Sequence, residues 1–173
     1  YFNFAAVPNV DGFLEEFDAL ANVITRMGTE VVLVGETLSD DPEALRYIGQ
    51  RANMVYTRDL AMATPHGVAL AGMAIDGRKG DPAIIEKVCQ KLGVPILGAL
   101  EPDGMLEGGG VTFFRGDTAI IGHCKRTNAI GLAKFERLLK QAGLTRTVTI
   151  PIPPYDFHID GQIVLIDHDL AII

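Results

Sequence analysis

The feature that most constrains the fold of this chain is an internal repeat with a period of about fifty residues. Each copy has the same predicted order of elements: two strands, an amphipathic helix and a further strand. The copies comprise residues 53–74, 81–93 and 94–100, and then residues 108–124, 127–143 and 144–152. Because a repeat of this length is typical of stacked or radial units, the sequence predicts an α/β fold built from ββαβ units.

Further predicted elements flank the two copies. Residues 11–27 carry apolar side chains at helical spacing, and Gly28 is placed to end that helix. Residues 29–35 predict a buried strand, and residues 39–52 predict a short helix with an acidic start. Residues 158–173 match the opening hairpin of a third copy.

Composition and charge exclude several classes of protein. With 48% hydrophobic residues the chain can bury a core, and a net charge of −7 argues against a nucleic-acid partner. No apolar run approaches the roughly 20 residues that cross a bilayer, and the first residues lack the basic region of a signal peptide. Cys89 and Cys124 are too few for a disulfide framework, lack the spacing of a zinc site, and are expected to pack. We therefore expect a cytoplasmic protein with no metal, no nucleic-acid partner and no membrane partner.

Polar residues precede the first predicted strand of each copy. Asp59 and Glu107 are 48 positions apart, and His158 follows Glu107 by 51 positions. Asp160 lies two residues after His158. If the units surround one axis, these side chains converge on it. Carboxylates and an imidazole can together hold a planar cation and move protons on it, and a guanidinium ion fits well because its donors match carboxylates in pairs.

Two arginines occupy matching places in the first two copies. Arg78 follows Asp59 by 19 positions, and Arg126 follows Glu107 by 19 positions, so we expect the pair to clamp a carboxylate of the substrate. Taken singly, the candidates also have ordinary structural interpretations. Asp59 can be a turn or cap residue, Glu107 part of a flexible bend, His158 a packed core histidine, and Arg78 a solvated arginine. Their corresponding places in one repeat favour a common site.

The motifs around these residues carry a family resemblance. Residues 53–59 read Asn-x-x-aromatic-Thr-Arg-Asp, residues 107–109 read Glu-Gly-Gly, residues 158–160 read His-x-Asp, and Arg-Thr stands at 126–127. In this order the chain resembles the guanidino-group-modifying enzymes of the pentein superfamily, which include arginine deiminase, dimethylarginine hydrolase and the amidinotransferases. The resemblance implies a five-bladed α/β propeller of ββαβ units around a central channel, which agrees with the repeat.

Compared with a five-bladed propeller, this chain is expected to be incomplete. About two and a half to three units are present, so residues 1–173 are expected to form a single partial domain that lacks parts of its N-terminal and C-terminal blades. Exposed sheet edges would then favour association, either with the missing segment or with another copy as a homo-oligomer.

The resemblance also implies a role for each candidate residue. Asp59 and Asp160 would grip the guanidinium of the substrate, and Glu107 would be its third acidic neighbour. His158 would be the general acid/base, and Glu107 would move protons with it. The positions that arginine deiminases use around the substrate match Asn53, Tyr56, Arg78 and Arg126.

The function implied is hydrolysis of the guanidino group of free arginine to give citrulline and ammonia, without metal or organic cofactor. A cysteine nucleophile is expected beyond this chain, so the chain alone would be inactive. Asp160 favours arginine over methylated arginine, because a methylated guanidinium has fewer donors for a second acid. Two alternatives remain open: an amidinotransferase that moves the amidino group to an amine, and a non-catalytic protein that binds a guanidine or a protein partner.

Overall fold

The computed structural model describes residues 6–7, 9–114, 116–153, 155–167 and 169–173. The helices are α1 (Val10–Arg26), α2 (Val34–Thr37), α3 (Pro42–Ile48), α4 (Pro82–Leu92) and α5 (Ala129–Gln141). The strands are β1 (Ala61–Thr64), β2 (Gly67–Leu70), β3 (Ile96–Ala99), β4 (Val111–Phe114), β5 (Thr118–His123), β6 (Arg146–Pro151), β7 (Val164–Leu165) and β8 (Ala171–Ile172). Short 3-10 turns lie at Ala52–Val55, Thr57–Leu60, Asp76–Arg78, Gly108–Gly110 and Ile159–Gly161.

Strands β1 to β3 and strands β4 to β6 form sheets of the same topology. In each sheet the first two strands are antiparallel, and the third runs parallel to the second. The crossover helix is α4 in the first sheet and α5 in the second. Strands β7 and β8 form an antiparallel hairpin. The predicted ββαβ order and the α/β class are therefore confirmed, whereas the number of units in a closed propeller stays a prediction.

The crossover helices begin and end where the sequence indicates. Pro82 lies in the first turn of α4, and Gly93 follows the helix in the left-handed conformation, with φ of 68°. The side chain of Asn128 caps α5 by accepting a hydrogen bond from the Gly131 amide at 2.7 Å. Asn128 Oδ1 also accepts from the Met105 amide at 2.9 Å. The start of α5 is thereby tied to the segment that leads into the second sheet.

The apolar core is continuous across both sheets and includes the inner faces of α4 and α5. Its fully buried large side chains include Leu38, Leu60, Met73, Leu100, Leu106, Ile121, Phe135 and Leu139. A backbone bridge between Gly72 and Leu106 joins the two sheets. A Cβ atom at Gly72 would collide with the carbonyl oxygen of Gly104, so this close approach requires glycine. The bridge holds Glu107, the residue after Leu106, beside the first sheet.

The prediction of a buried strand at residues 29–35 is wrong. Residues 29–33 form no regular element, α2 begins at Val34, and the side chains of Val32 and Leu33 are exposed. Within the described residues no strand lies beside this run to pair with it. An apolar run by itself does not specify a partner strand, and without one its backbone has no ladder to join. Helix α1 forms as expected, although none of its residues is buried.

The predicted C-terminal hairpin is present as β7 and β8. His168, which lies between these strands in the sequence, is outside the described residues. The apolar side chains of Ile166, Leu170 and Ile172 are exposed. In the ranges that the structure describes, no helix combines the length and the apolar character that a membrane crossing needs.

Candidate active site

A short 3-10 turn before the first strand of each unit positions the candidate residues. Asp59 lies in the turn that leads into β1. Glu107 directly precedes the turn that leads into β4, and His158 directly precedes the turn before β7, which contains Asp160. The repeat thus places a polar side chain in or directly before the turn that leads into the first strand of each unit.

These side chains meet at one place. Nε2 of His158 is 2.8 Å from Oε2 of Glu107, and Nδ1 of His158 is 3.6 Å from Oδ1 of Asp59. A cavity of about 530 Å³ opens beside them. Every residue predicted for the site lines this cavity except Glu107, which is 1% exposed and lies beneath His158 and Arg126. The other lining residues are Val55, Thr57, Arg58, Ile75 and Phe157.

Glu107 is held as a carboxylate although it is buried. Burial favours its neutral form, but hydrogen bonds from His158 and from the Ala74 amide, with the charge of Arg126, hold the pKa of Glu107 below its ordinary value. The Ala74 amide donates to Oε1 at 3.0 Å, and Nη1 of Arg126 lies 3.0 Å from Oε2. Glu107 is therefore ionised at neutral pH, and its Oε2 faces Nε2 of His158.

Arg78 is only 2% exposed, so its interpretation as a solvated arginine is wrong. Its Nη1 donates to Oδ2 of Asp59 at 2.6 Å, and its Nε lies 3.4 Å from Oδ2 of Asp81. Its Nη2 donates to the carbonyl oxygens of Asn53 and Tyr56 at 3.2 and 3.3 Å. The guanidinium therefore holds the Asp59 carboxylate and the backbone before it.

Asp81 supports Arg78 and was not singled out from the sequence. It precedes Pro82 at the start of α4, which is the pattern of a helix cap, yet its side chain caps no amide. Instead Oδ1 accepts a hydrogen bond from the Tyr47 hydroxyl at 2.9 Å. Burial and this hydrogen bond raise the pKa of Tyr47 to about 12. The sequence signal that was available is the three-residue spacing from Arg78 to Asp81.

Arg126 has a different environment from Arg78. Its Nη1 donates to both oxygens of Glu107, at 3.3 and 3.0 Å, and its guanidinium lies over the ring of Phe157, 4.7 Å from the centroid. Lys125 lies over the same ring at 4.4 Å. Among the described residues, Nε and Nη2 of Arg126 have no hydrogen-bond partner. Arg126 therefore lines the cavity with unused donors, whereas each nitrogen of Arg78 donates at least one hydrogen bond.

Asp160 pairs with Arg58, the central residue of the Thr-Arg-Asp motif, which was also not singled out. Nε of Arg58 is 2.7 Å from Oδ2 of Asp160, and this pair is partly exposed to solvent. Each site carboxylate thus has its own arginine: Arg78 for Asp59, Arg126 for Glu107 and Arg58 for Asp160.

Asn53 and Tyr56 both contribute to the wall of the cavity. The side-chain oxygen Oδ1 of Asn53 is buried and accepts no hydrogen bond from the described residues. The Tyr56 side chain is more than half exposed at the rim. A ligand that brings a donor to this wall would satisfy Asn53.

The ligand atoms of Asp59, Glu107 and His158 all lie within 4.8 Å of one another, a spacing that can hold a metal ion. Two cations of the chain already contact the same oxygens, because Arg78 is 2.6 Å from Asp59 and Arg126 is 3.0 Å from Glu107. Their charges disfavour a divalent cation at this place. The expectation of a site without metal stays a prediction.

The cysteines lie away from the centre of the site. Cys89 is buried in α4 as expected, and burial raises the pKa of its thiol. Cys124 is only partly buried rather than fully packed. Its Sγ lies 3.0 Å from the Phe157 carbonyl oxygen and 3.3 Å from the Arg126 amide nitrogen. Neither cysteine lines the large cavity.

Comparison with protein families matches residues 39–173 to the arginine deiminase family. No curated protein sequence matches the chain. Several solved structures are similar in fold. A dimethylarginine dimethylaminohydrolase from Pseudomonas aeruginosa, solved as a cysteine-to-serine mutant with citrulline, superposes with a TM-score of 0.63 at 20% identity. That match covers 79% of this chain and 58% of the hydrolase.

Two further structures extend the comparison. The N-terminal domain of a cyanobacterial arginine dihydrolase, a cysteine-to-serine mutant with bound substrate, has a TM-score of 0.54 at 18% identity over 72% of this chain and 49% of that domain. An amidinotransferase of saxitoxin biosynthesis from Microseira wollei has a TM-score of 0.52 at 16% identity, over 62% of this chain and 38% of that protein. The chain thus spans less than two thirds of each, and at these identities the likeness shows the fold they share.

Proposed function

Because this chain belongs to the arginine deiminase family, we propose that the protein hydrolyses the guanidino group of a free, arginine-like substrate. With L-arginine the products are citrulline and ammonia. The observation that carries the proposal is the 2.8 Å hydrogen bond between His158 and Glu107 beside a cavity lined by Asp59 and Asp160. An imidazole and three carboxylates match the donors of a guanidinium and supply a group that moves protons.

Asp59 and Asp160 hold the substrate guanidinium in this proposal. In both residues Oδ2 is paired with an arginine of the chain, at 2.6 and 2.7 Å. The Oδ1 atoms remain to accept hydrogen bonds from the substrate nitrogens. Such charge-assisted bonds are short and directional, and they fix the plane of the guanidinium so that its central carbon faces the nucleophile.

His158 is the proton carrier. A cysteine thiolate attacks the guanidinium carbon, and His158 gives a proton to the nitrogen that leaves as ammonia when the carbon–nitrogen bond breaks. His158 then removes a proton from the water that attacks the same carbon. The carbon–sulfur bond breaks, the thiolate is regenerated, and the product loses its hydroxyl proton to solvent. Glu107 stays ionised, and its hydrogen bond with Nε2 of His158 at 2.8 Å orients the imidazole for both transfers.

We place the nucleophile beyond these 173 residues. Cys89 is buried in α4 with a raised pKa, and Cys124 does not line the cavity, so neither is suited to attack a guanidinium held there. The hydrolase solved with citrulline and the dihydrolase solved with substrate each carry a cysteine-to-serine change, which supports a cysteine in this role.

Arg126 is the residue proposed to bind the α-carboxylate of the substrate. It lines the cavity, and its Nε and Nη2 donors are unused among the described residues. Arg78, the second arginine expected in this role, has hydrogen bonds from all three nitrogens to the protein itself. Arg78 therefore contributes chiefly by holding Asp59, and Arg126 contributes most of the selectivity for an amino-acid substrate.

The experiment that tests the function is an assay of the complete gene product with L-arginine, in which citrulline and ammonia are both quantified. Equal amounts of the two products are expected. A second reaction contains arginine together with glycine. A separate experiment measures the shift in the melting temperature of the protein that arginine causes. Formation of guanidinoacetate from glycine would show that the protein transfers the amidino group instead of hydrolysing it. A shift in melting temperature without citrulline or guanidinoacetate would show that the protein binds arginine without turning it over. The absence of both a shift and a product would reject the proposal.

Substitution of Gly109 by Ala is expected to lower kcat about ten-fold or more while the fold is retained. A Cβ atom at residue 109 would lie 2.5 Å from Nδ1 of His158 and 3.1 Å from Oδ2 of Asp160, so the imidazole must shift from the position in which it contacts Glu107 and Asp59. Citrulline release measures the effect. Gly161→Ala is the matched control, because a Cβ atom at residue 161 meets no atom within 4 Å. Equal kcat values for the two variants would show that catalysis does not depend on the position of the His158 imidazole beside Gly109.

A further inference from the structure

Arg58 lies at the boundary between two cavities. Its Nε donates to Asp160, which lines the larger cavity, at 2.7 Å. Its Nη2 donates to the carbonyl oxygen of Val111 at 3.1 Å, and Val111 lines a second cavity of about 170 Å³. Arg58 lines both cavities. Its side chain therefore separates one from the other.

The second cavity lies between the segments of β1 and β4 and is built mainly from small and apolar residues. Besides Arg58 it is lined by Ala61, Met62, Ala63, Gly108, Val111, Thr112 and Phe113. Arg58 is the charged residue of this set. If Arg58 were shortened, the second cavity would adjoin Asp160 and offer room for a small alkyl group.

We propose that Arg58 is a specificity-determining residue, which closes the second cavity and so excludes guanidines that carry alkyl groups on the nitrogens bound by Asp160. The inference rests on the proposed function, in which Asp160 holds the substrate guanidinium. It adds the class of substrate that the site rejects and the side chain that rejects it.

The geometry around Asp160 gives the physical reason. A substrate nitrogen bound to this carboxylate lies next to Arg58, because Nε of Arg58 contacts the same carboxylate at 2.7 Å. A hydrogen on that nitrogen leaves Arg58 in place, whereas a methyl group directed to the same side would meet the arginine side chain. The guanidinium plane of Arg58 is oriented by two hydrogen bonds, because Nε and Nη2 both donate and belong to one rigid plane. An alkylated substrate must break these two bonds or lose its contact with Asp160.

Arg58 can be replaced without removing a buried charge. Its side chain is 59% exposed, and a solvent-exposed ion pair contributes little to folding stability. We therefore expect variants at residue 58 to fold, and their effect to appear in substrate selectivity. Selectivity is the ratio of the kcat/KM values for two substrates. A change in charge that affects both kcat/KM values equally therefore leaves this ratio unchanged.

The test uses two variants of the complete gene product that separate the bulk of Arg58 from its charge. Arg58→Ala removes the wall and the ion pair, whereas Arg58→Met keeps most of the bulk and loses the ion pair. For each protein kcat/KM is measured with L-arginine and with Nω,Nω-dimethyl-L-arginine. Arg51→Ala is the control, because Arg51 comes from the same region, stacks on Tyr47 and lines neither cavity.

The ratio of kcat/KM for arginine over dimethylarginine is expected to fall about ten-fold or more in Arg58→Ala, the size of effect that a methyl group has in a tight pocket. Arg58→Met and Arg51→Ala are expected to stay within about three-fold of the wild type. An unchanged ratio in Arg58→Ala, or an equal fall in both Arg58 variants, would overturn the inference. If the wild type turns over neither compound, the proposed function fails. The role of Arg58 in excluding alkylated guanidines is then tested by the shifts in melting temperature that the two compounds cause in the wild type and in Arg58→Ala.

Discussion

Replacing His158 with Ala in the complete protein is expected to lower kcat for citrulline formation by at least about a hundred-fold, the usual contribution of a general acid/base. The imidazole lies between two carboxylates, 2.8 Å from Oε2 of Glu107 and 3.6 Å from Oδ1 of Asp59. No other histidine lines the cavity in the described residues, so no neighbouring imidazole replaces it. Single-turnover and steady-state rates measure the effect on chemistry.

The control for this prediction is His66→Ala, which removes an exposed histidine from the turn between β1 and β2. It should leave kcat unchanged. Unfolding of the His158 variant in denaturant shows whether the fold is retained, since Glu107 keeps its contacts with Arg126 and the Ala74 amide. Retention of more than about a hundredth of the wild-type rate would exclude His158 as the proton carrier.

Replacing Arg78 with Ala is expected to lower the free energy of unfolding by about 3–5 kcal/mol, the cost of breaking a buried ion pair by removing one partner. The change leaves the carboxylates of Asp59 and Asp81 without their cation, and Asp81 is almost fully buried. It also frees the carbonyl oxygens of Asn53 and Tyr56. Chemical denaturation followed by circular dichroism measures the loss.

Lys79→Ala is the matched control, because Lys79 is the next residue and forms an exposed ion pair with Asp76. Its effect on the free energy of unfolding should be small, because both members of the pair are exposed to solvent. The double variant Arg78→Ala with Asp81→Ala should recover part of the stability, since it no longer buries an unpaired carboxylate. A loss below about 1 kcal/mol in Arg78→Ala would mean that water reaches Asp81 and that the pair is not buried in solution.

Much of the architecture followed from local patterns in the sequence. The order of strands and helices within the repeat and the Pro82 start and Gly93 end of α4 depend on neighbours within a turn or two of the chain. The convergence of Asp59, Glu107 and His158 followed as well, because residues at equivalent places in a repeat unit take equivalent positions around it.

Other features were decided only by contacts between distant segments. The apolar run at residues 29–35 is the pattern of a strand, but it has no partner strand in the described residues. Asp81 has the local pattern of a helix cap, yet its carboxylate contacts Arg78 and Tyr47.

The repeat by itself therefore determined which polar residues meet, and the tertiary structure decided how each is paired. Arg58 and Asp160 are 102 positions apart, and Tyr47 and Asp81 are 34 positions apart. Local propensity acts over a few residues, whereas burial and ion pairing depend on which side chains the fold brings within a few ångströms of one another. For this reason the sequence predicted the members of the candidate site but missed Arg58, which pairs with Asp160 and lines the cavity, and Asp81, which supports Arg78.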